Sequence, residues 1–304
     1  MKYFIAIPTY NAGNIWQEVV SNIKKYAPDN IYVHVIDSGS TDQTVEIARE
    51  AGFNVVTITS QEFNHGGTRN QAVFSCIGSY DIVIFLTQDA VPQQYFIENI
   101  ISVFKDNNVA CAYGRQLPHT DANPLAKHAR EFNYSAKSYI CGKKDIPRMG
   151  LKTVFMSNSF SAYRLSYFQQ LNGFPSETIL CEDMFFTAKA ILADYQAAYV
   201  ANAMVRHSHN YSATEEFKRY FDIGVFHTDE PWIQKEFSGA GGEGKKYIIS
   251  EINFLLREAP LWIPVAFINN AMKFLGYKFG KMYKLFPLKI VKKLSMHKKY
   301  WKNN

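Results

Sequence analysis

No stretch of this 304-residue chain is long and apolar enough to cross a bilayer. The longest wholly apolar run, Ala259 to Ile268, is ten residues long and carries two prolines. The amino terminus lacks a signal-peptide layout, since its apolar run is short and ends in a turn. Cysteine is scarce: Cys76, Cys111, Cys141 and Cys181 lie far apart and form no CxxC pair. That excludes a disulfide framework or a zinc knuckle and reads as free thiols in a reducing cytosol. Neither GxGxxG nor GxxxxGK[ST] occurs, so ordinary dinucleotide and P-loop chemistry lack their fingerprint. Acid is missing from one end: no Asp or Glu follows Glu258, whereas ten of the 33 basic residues do. The body therefore holds 23 basic against 27 acidic residues, and the pI near 8.9 belongs to the tail. A basic fold that grips nucleic acid is excluded by that confinement, and an anionic partner for the tail is implied.

Hydrophobic residues make up 47% of the chain and aromatics 15%, enough core for one large domain with an appendage. Short β-rich runs alternate with helical stretches. Strands are expected at Tyr3–Ile7, Ile31–Ile36, Asn54–Thr59 and Asp81–Leu86, with helices over Ile15–Lys25, from Thr41-Asp42 through Glu50, and over Gly67–Ile77. This βαβα order predicts an α/β fold, a mostly parallel sheet flanked by helices. The segment from Leu117 to about Lys152 reads as an irregular insertion or flap. A helix is expected over Asp183–Leu192, and from Glu215 onward the pattern is mainly helical.

The polar clusters follow strands. In open α/β sheets the ligand crevice lies outside the carboxyl ends of the strands, so Pro8–Asn11, Asp37–Asp42 and Thr87–Ala90 converge on one edge. Asp37 at a strand end suits a pyrimidine N3–H or a ribose hydroxyl, and Ser38 and Gly39 allow close backbone approach; alone, the cluster also fits a capped turn. Arg69 enters a helix after His65-Gly66-Gly67 and suits a nucleotide or its pyrophosphate; a surface arginine at a helix start is the plainer alternative. Asp89 closes the very apolar fourth strand, where a carboxylate needs a cation; Mg²⁺ or Mn²⁺ on a diphosphate is one. Glu182-Asp183 offers a candidate general base, or simply an acidic first helical turn. His207 and His209 alternate after Tyr199–Val205, so strand geometry would turn only one toward a metal begun by Asp89.

Taken in order, IPTYN (Ile7–Asn11), DSGSTD (Asp37–Asp42), FNHGGTRN (Phe63–Asn70), TQDA (Thr87–Ala90) and ED (Glu182-Asp183) resemble glycosyltransferase family 2, which is inverting and has a GT-A fold. SNSFSAYR (Ser157–Arg164), HSHNYS (His207–Ser212) and FKRYFDIGVFH (Phe217–His227) make the chain similar to bacterial rhamnosyltransferases of O-antigen and rhamnan assembly. The resemblance implies dTDP-β-L-rhamnose as donor and a polyprenyl-diphosphate-linked saccharide as acceptor. Another nucleotide sugar such as a UDP-hexose on the same fold, or a non-catalytic scaffold subunit, are the alternatives. By the same resemblance, Pro8, Thr9 and Tyr10 with Asp37, Ser38, Gly39 and Asp42 hold the base and ribose. Arg69, Gln88 and Asp89 serve the rest of the donor. Asp89 is the surviving carboxylate of a DxD motif reduced to Gln88-Asp89-Ala90, sharing Mn²⁺ or Mg²⁺ with His207 or His209. Asp183 beside Glu182 is the catalytic base, and Ser157 and Asn158 face the acceptor.

Residues 1–230 then form the catalytic domain, with nucleotide-sugar (1–115) and acceptor (116–230) halves, and 231–304 a helical membrane-associating region. In that tail Phe279, Met282, Phe286, Ile290 and Leu294 recur at helical spacing beside Lys278, Lys281, Lys284, Lys289 and Lys292, interrupted by Pro287. A basic amphipathic stretch of this kind suits an anionic leaflet and predicts a peripheral protein on the inner face of the cytoplasmic membrane. Packing on the body is the alternative.

Overall fold

The computed structural model describes residues 1–238 and 242–302. Its first strands, β1 (Tyr3–Thr9), β2 (Val33–Asp37), β3 (Asn54–Thr57) and β4 (Ile82–Leu86), pair in parallel in the order β3-β2-β1-β4. β2 and β4 are buried along their whole length, which is why their sequences show no alternation. The crossovers are α1 (Ile15–Tyr26), α2 (Thr44–Glu50) and α3 (His65–Phe74). α1 buries Trp16, Val19, Val20 and Ile23, spacings that keep one face on the sheet. The Trp16 indole N–H donates to the Thr44 carbonyl at 2.9 Å and ties α1 to α2.

The sheet continues through β5 (Val91–Pro92), β6 (Val109–Leu117), β7 (Tyr139–Cys141), β8 (Phe160–Arg164) and β9 (Gln196–Arg206). β8 runs antiparallel between β4 and β6, β9 runs parallel to β6, and β5 and β7 both pair antiparallel with β9. A parallel half thus joins a mixed half in one sheet of order β3-β2-β1-β4-β8-β6-β9-β5. Around it lie α4 (Phe96–Ser102), α5 (Pro124–Asn133), α6 (Ile146–Met149), α7 (Leu165–Gln170) and α8 (Glu182–Leu192). Aromatic side chains fill one face, where Phe85, Tyr163, Phe168, Phe174 and Phe186 pack at ring separations of 4.8–5.9 Å.

The expected flap from Leu117 to Lys152 is instead largely regular. Asn123 caps α5 by accepting from the Ala126 N–H at 2.9 Å, Pro124 opens the helix, and β7 adds to the sheet. The order comes from burial, since Leu125 packs with Phe254 and Leu255 of a later helix.

The chain finishes with α9 (Ala213–Asp229), α10 (Pro231–Glu236), α11 (Glu243–Glu258), α12 (Ile263–Lys281) and α13 (Leu288–Leu294). A capping box of Ser212 and Glu215 starts α9. α12 lies along α9 so closely that a Cβ on Gly276 or Gly280 would overlap the carbonyl oxygens of Phe217 and Phe221. The apolar and basic stripe over 279–294 is interrupted as expected: α12 ends at Lys281 and α13 begins after Pro287, and Lys281 packs on the body, donating to the His227 carbonyl at 3.2 Å. The outer side of α12 nevertheless exposes Val265, Phe267, Ile268, Phe274 and Leu275. Among the described residues no helix is long and apolar enough to cross a membrane.

Candidate active site

The loops after β1 and β2 are stapled to each other by side-chain hydrogen bonds. Asp37 ends β2 fully buried. Its Oδ1 accepts from the Thr9 hydroxyl at 3.0 Å, and its Oδ2 accepts from the N–H groups of Gly39 and Ser40 at 3.0 and 2.8 Å. The carboxylate is thus spent on shaping the turn. Asp42 works the same way, accepting from Gly13 N–H at 3.1 Å and from Thr44 N–H at 3.1 Å. Pro8, Thr9, Tyr10 and Ser38 line the cavity beside these loops, whereas Asp37, Gly39 and Asp42 do not line it and act by shaping the loops.

After β4, Gln88 turns its amide onto Tyr10. Its Oε1 accepts from the Tyr10 N–H at 2.7 Å, and its Nε2 donates to the Tyr10 carbonyl at 3.2 Å. A carboxylate has no proton to donate, so an aspartate here could not make the second bond. The next residue, Asp89, faces both histidines: Oδ1 lies 3.4 Å from His207 Nε2, and Oδ2 lies 3.7 Å from His209 Nε2. The three side chains offer ligand atoms within 4.8 Å of one another, a group that could hold a metal ion.

The expectation that only one histidine turns inward fails for a simple reason. β9 ends at Arg206, so His207-Ser208-His209 is no longer a strand and strand alternation does not govern it. The donor set suits a divalent cation. Burial raises the Asp89 carboxyl, but the facing His207 and His209 outweigh it and hold the group well below the usual carboxylate range. Burial and His207 push His209 down to about 4, so its imidazole is neutral and its nitrogen lone pair is free. His207 is oriented from behind, where its Nδ1–H donates to Gln116 Oε1 at 2.9 Å and leaves Nε2 toward Asp89.

At the amino end of α8 the two adjacent carboxylates live differently. Glu182 is buried, pairs with Arg69 at 3.2 Å and accepts from Asn158 Nδ2 at 2.8 Å. Although burial pushes its carboxyl up, the Arg69 guanidinium prevails and keeps it charged. Asp183 is half-buried, with Oδ2 accepting from the Asn158 N–H at 3.0 Å and Oδ1 from the Met184 N–H at 2.7 Å. Burial, then the charge on Glu182, pushes its carboxyl up to about 7. One neighbour stays ionised while the other titrates near neutrality, the split that separates a structural ion from a proton acceptor.

Several of these groups line a cavity of about 730 Å³, walled by the β1 and β4 loops, by Asn64, His65 and Arg69, by Ser159, and by His207 and His209. Asp183 does not itself line the cavity; it is joined to the wall by the N–H of Asn158, the residue before Ser159. Asn158 is itself buried, and its Oδ1 accepts from Ser161 and Tyr163 at 2.8 and 2.7 Å. Ser157 is held by Gln116, whose Nε2 donates to its Oγ at 2.8 Å.

Three contributors escaped the sequence reading. Gln116 orients His207, and His119 Nε2 donates to the Asp89 carbonyl at 3.1 Å; neither belongs to a recognisable motif. Met296–Tyr300, from the basic tail, forms part of the cavity wall.

Comparison with known proteins identifies the family and the fold. The sequence profile of Glycosyl transferase family 2 matches residues 4–171. The chain is 54% identical over 307 residues to the O-antigen chain rhamnosyltransferase RfbN of Salmonella typhimurium, covering all of this chain and 97% of that protein. It is 53% identical to the O-antigen chain rhamnosyltransferase WbaN of Salmonella anatum, covering 99% of this chain and 96% of that one. Among solved structures, the mannosyltransferase PcManGT of Pyrobaculum calidifontis, solved with GDP-Man and Mn²⁺, superposes with a TM-score of 0.58 at 18% identity. The match covers 99% of this chain and 84% of PcManGT, a likeness of fold. The chain has the α/β architecture of GT-A enzymes, and it belongs to glycosyltransferase family 2.

Proposed function

We propose that the chain transfers L-rhamnose, with inversion, from dTDP-β-L-rhamnose to a polyprenyl-diphosphate-linked saccharide during O-antigen assembly. The observation that carries this reading is the whole-length likeness to RfbN and WbaN, both named as O-antigen chain rhamnosyltransferases. The cavity geometry supports a nucleotide-sugar donor in general. On this reading Tyr10, set by the Gln88 amide, and Ser38, whose N–H donates to the Thr9 carbonyl at 2.8 Å, cradle the base and ribose. Arg69, neutralised by Glu182, shapes the wall beside them. Asp183 takes the proton from the acceptor hydroxyl as that oxygen attacks the anomeric carbon and the nucleoside diphosphate departs from the opposite face. Asp89, His207 and His209 would hold Mn²⁺ or Mg²⁺, whose charge offsets that developing on the departing diphosphate.

Residues 1–230 then carry the chemistry and 231–304 the membrane attachment, on the inner face of the cytoplasmic membrane. The exposed outer face of α12, flanked by Lys278 and Lys284, supports docking on an anionic leaflet.

The test is a donor panel of dTDP-rhamnose, UDP-glucose, UDP-GlcNAc and UDP-galactose, each with and without Mn²⁺, on lipid-linked acceptor. Turnover with dTDP-rhamnose alone is expected. Turnover with a UDP-sugar alone removes the rhamnosyl assignment. Flotation with phosphatidylglycerol vesicles tests the tail, and equal flotation with neutral vesicles would refute an electrostatic attachment.

A further inference from the structure

The basic tail does not end on the outside of the molecule. After α13 the chain turns inward at Ser295, which is fully buried, and the N–H groups of Met296 and His297 donate to Asp222 Oδ2 at 2.9 and 3.0 Å. Asp222 lies fully buried on α9, so the latch is internal. The His297 ring then packs edge-on against His65 at the start of α3, with centroids 4.7 Å apart. Tyr300 closes the crossing by donating its hydroxyl to the Glu177 carbonyl at 2.9 Å, and Trp301 is buried behind it. Met296 to Tyr300 therefore run along the cavity, held at either end to Asp222 and Glu177 and meeting His65 and Tyr10 between them, with Lys299 Nζ 4.7 Å from the centroid of the Tyr10 ring.

Counting charge in that cavity gives the segment a purpose. The permanent cations on its wall are Arg69, Lys298 and Lys299. Arg69 is already committed to Glu182. The two lining imidazoles beside it add nothing, because burial pushes His65 down and pushes His297 down to about 3. Lys298 and Lys299 are exposed, and among the described residues neither has an ion pair. A nucleoside diphosphate brings at least two negative charges into this space. Exposed ammonium groups on this segment can meet them with charge-assisted hydrogen bonds. The contact of Lys299 with the Tyr10 face is weak at an exposed site and is readily exchanged for a phosphate.

We propose that the C-terminal segment Met296–Tyr300 is part of the donor site, and that Lys298 and Lys299 bind the diphosphate of the nucleotide sugar. The proposal rests on the nucleotide-sugar reading above, and it assigns these two lysines to the donor and not to the membrane. Asp222 is the positioning residue, since it fixes where the segment enters the cavity.

The test uses full-length protein in detergent, without lipid, so that membrane attachment plays no part. Binding of dTDP and UDP with Mn²⁺ is measured by calorimetry, and binding of thymidine by ligand-observed NMR. The Lys298→Ala/Lys299→Ala double variant should weaken nucleoside-diphosphate binding at least tenfold, about 1.4 kcal/mol. Its thymidine affinity should stay within twofold, and its donor KM should rise by the same factor as the Kd. Asp222→Ala, which removes the acceptor for the Met296 and His297 N–H groups without itself lining the cavity, should reproduce the selective loss, and Lys298→Arg/Lys299→Arg should restore most of the affinity. Unchanged diphosphate affinity in the double variant would overturn the proposal. Equal losses for diphosphate and thymidine would do so too, as would tighter binding, which would mark the segment as a plug. A wild-type protein that binds UDP and not dTDP would remove the thymidine assignment and leave the lysine comparison to be read with UDP. Binding of neither would overturn both readings.

Discussion

Replacing Asp183 by Asn changes one atom and removes the proton acceptor. Both carboxylate oxygens accept backbone N–H groups, from Asn158 at 3.0 Å and Met184 at 2.7 Å. In Asn one of those oxygens becomes an NH₂ that faces a donor, so one partly buried hydrogen bond is lost at about 1–3 kcal/mol of stability. The fold should survive that. Catalysis should not, because a positioned base contributes about 10²–10⁴-fold, or about 2.7–5.4 kcal/mol at 1.36 kcal/mol per decade. The pH profile separates a base from a merely structural carboxylate. Burial and Glu182 push Asp183 up to about 7. Below that pH it is protonated and cannot accept, so log kcat of the wild type should climb with unit slope toward 7 and then flatten. The assay is single-turnover transfer from dTDP-rhamnose to lipid-linked acceptor from pH 5.5 to 8.5, with calorimetric dTDP affinity as the control. Asp183→Asn should lose at least 100-fold in rate, lose the acid limb, and bind dTDP within threefold of wild type. An unaltered acid limb in the variant, or activity within tenfold, would refute the assignment.

Gln116→Leu should weaken Mn²⁺ activation by about 10–100-fold, the usual cost of removing the partner that orients a ligating histidine. Unchanged Mn²⁺ dependence of turnover would sink the idea that the His207 Nδ1–H···Gln116 bond sets the ligand. Gln88→Asp adds a second carboxylate beside Asp89 yet should lower activity, because the aspartate cannot donate to the Tyr10 carbonyl; a rise in kcat/KM for donor would contradict that. Gly280→Ala should cost roughly 1–3 kcal/mol by overpacking α12 against the Phe221 carbonyl. That is on the order of 5 °C in Tm, read by calorimetry, and an unchanged Tm would mean the two helices are not held in this contact.

The parallel half of the sheet was legible because each strand is a short apolar run followed by a polar turn and a helix with one buried face, as with β1 and α1. The convergence of Tyr10, Ser38 and Asp89 on one edge follows from that topology. The mixed half was harder. α5 announces itself with Asn123 and Pro124, a cap and an opener, but the polar and basic residues around it hid the signal. β7 is three residues long and finds its place only through pairing with β9.

What the sequence could not disclose depends on contacts between residues far apart in the chain. Gln116 and His207 are 91 positions apart, and His65 and His297 are 232 apart. Local pattern was ambiguous in the tail, where ten lysines and a helical apolar repeat interrupted by Pro287 fitted either a membrane surface or packing on the body. Composition states that those charges want an anion; it cannot say which one. α12 keeps the broad apolar face, yet its glycines show that the opposite side is shaped to a protein partner, α9. Beyond Pro287 the buried Asp222 then captures the backbone and turns the last lysines toward the cavity. The latch therefore divides the lysines of one basic segment: Lys298 and Lys299 line the cavity, whereas Lys278 and Lys284 do not.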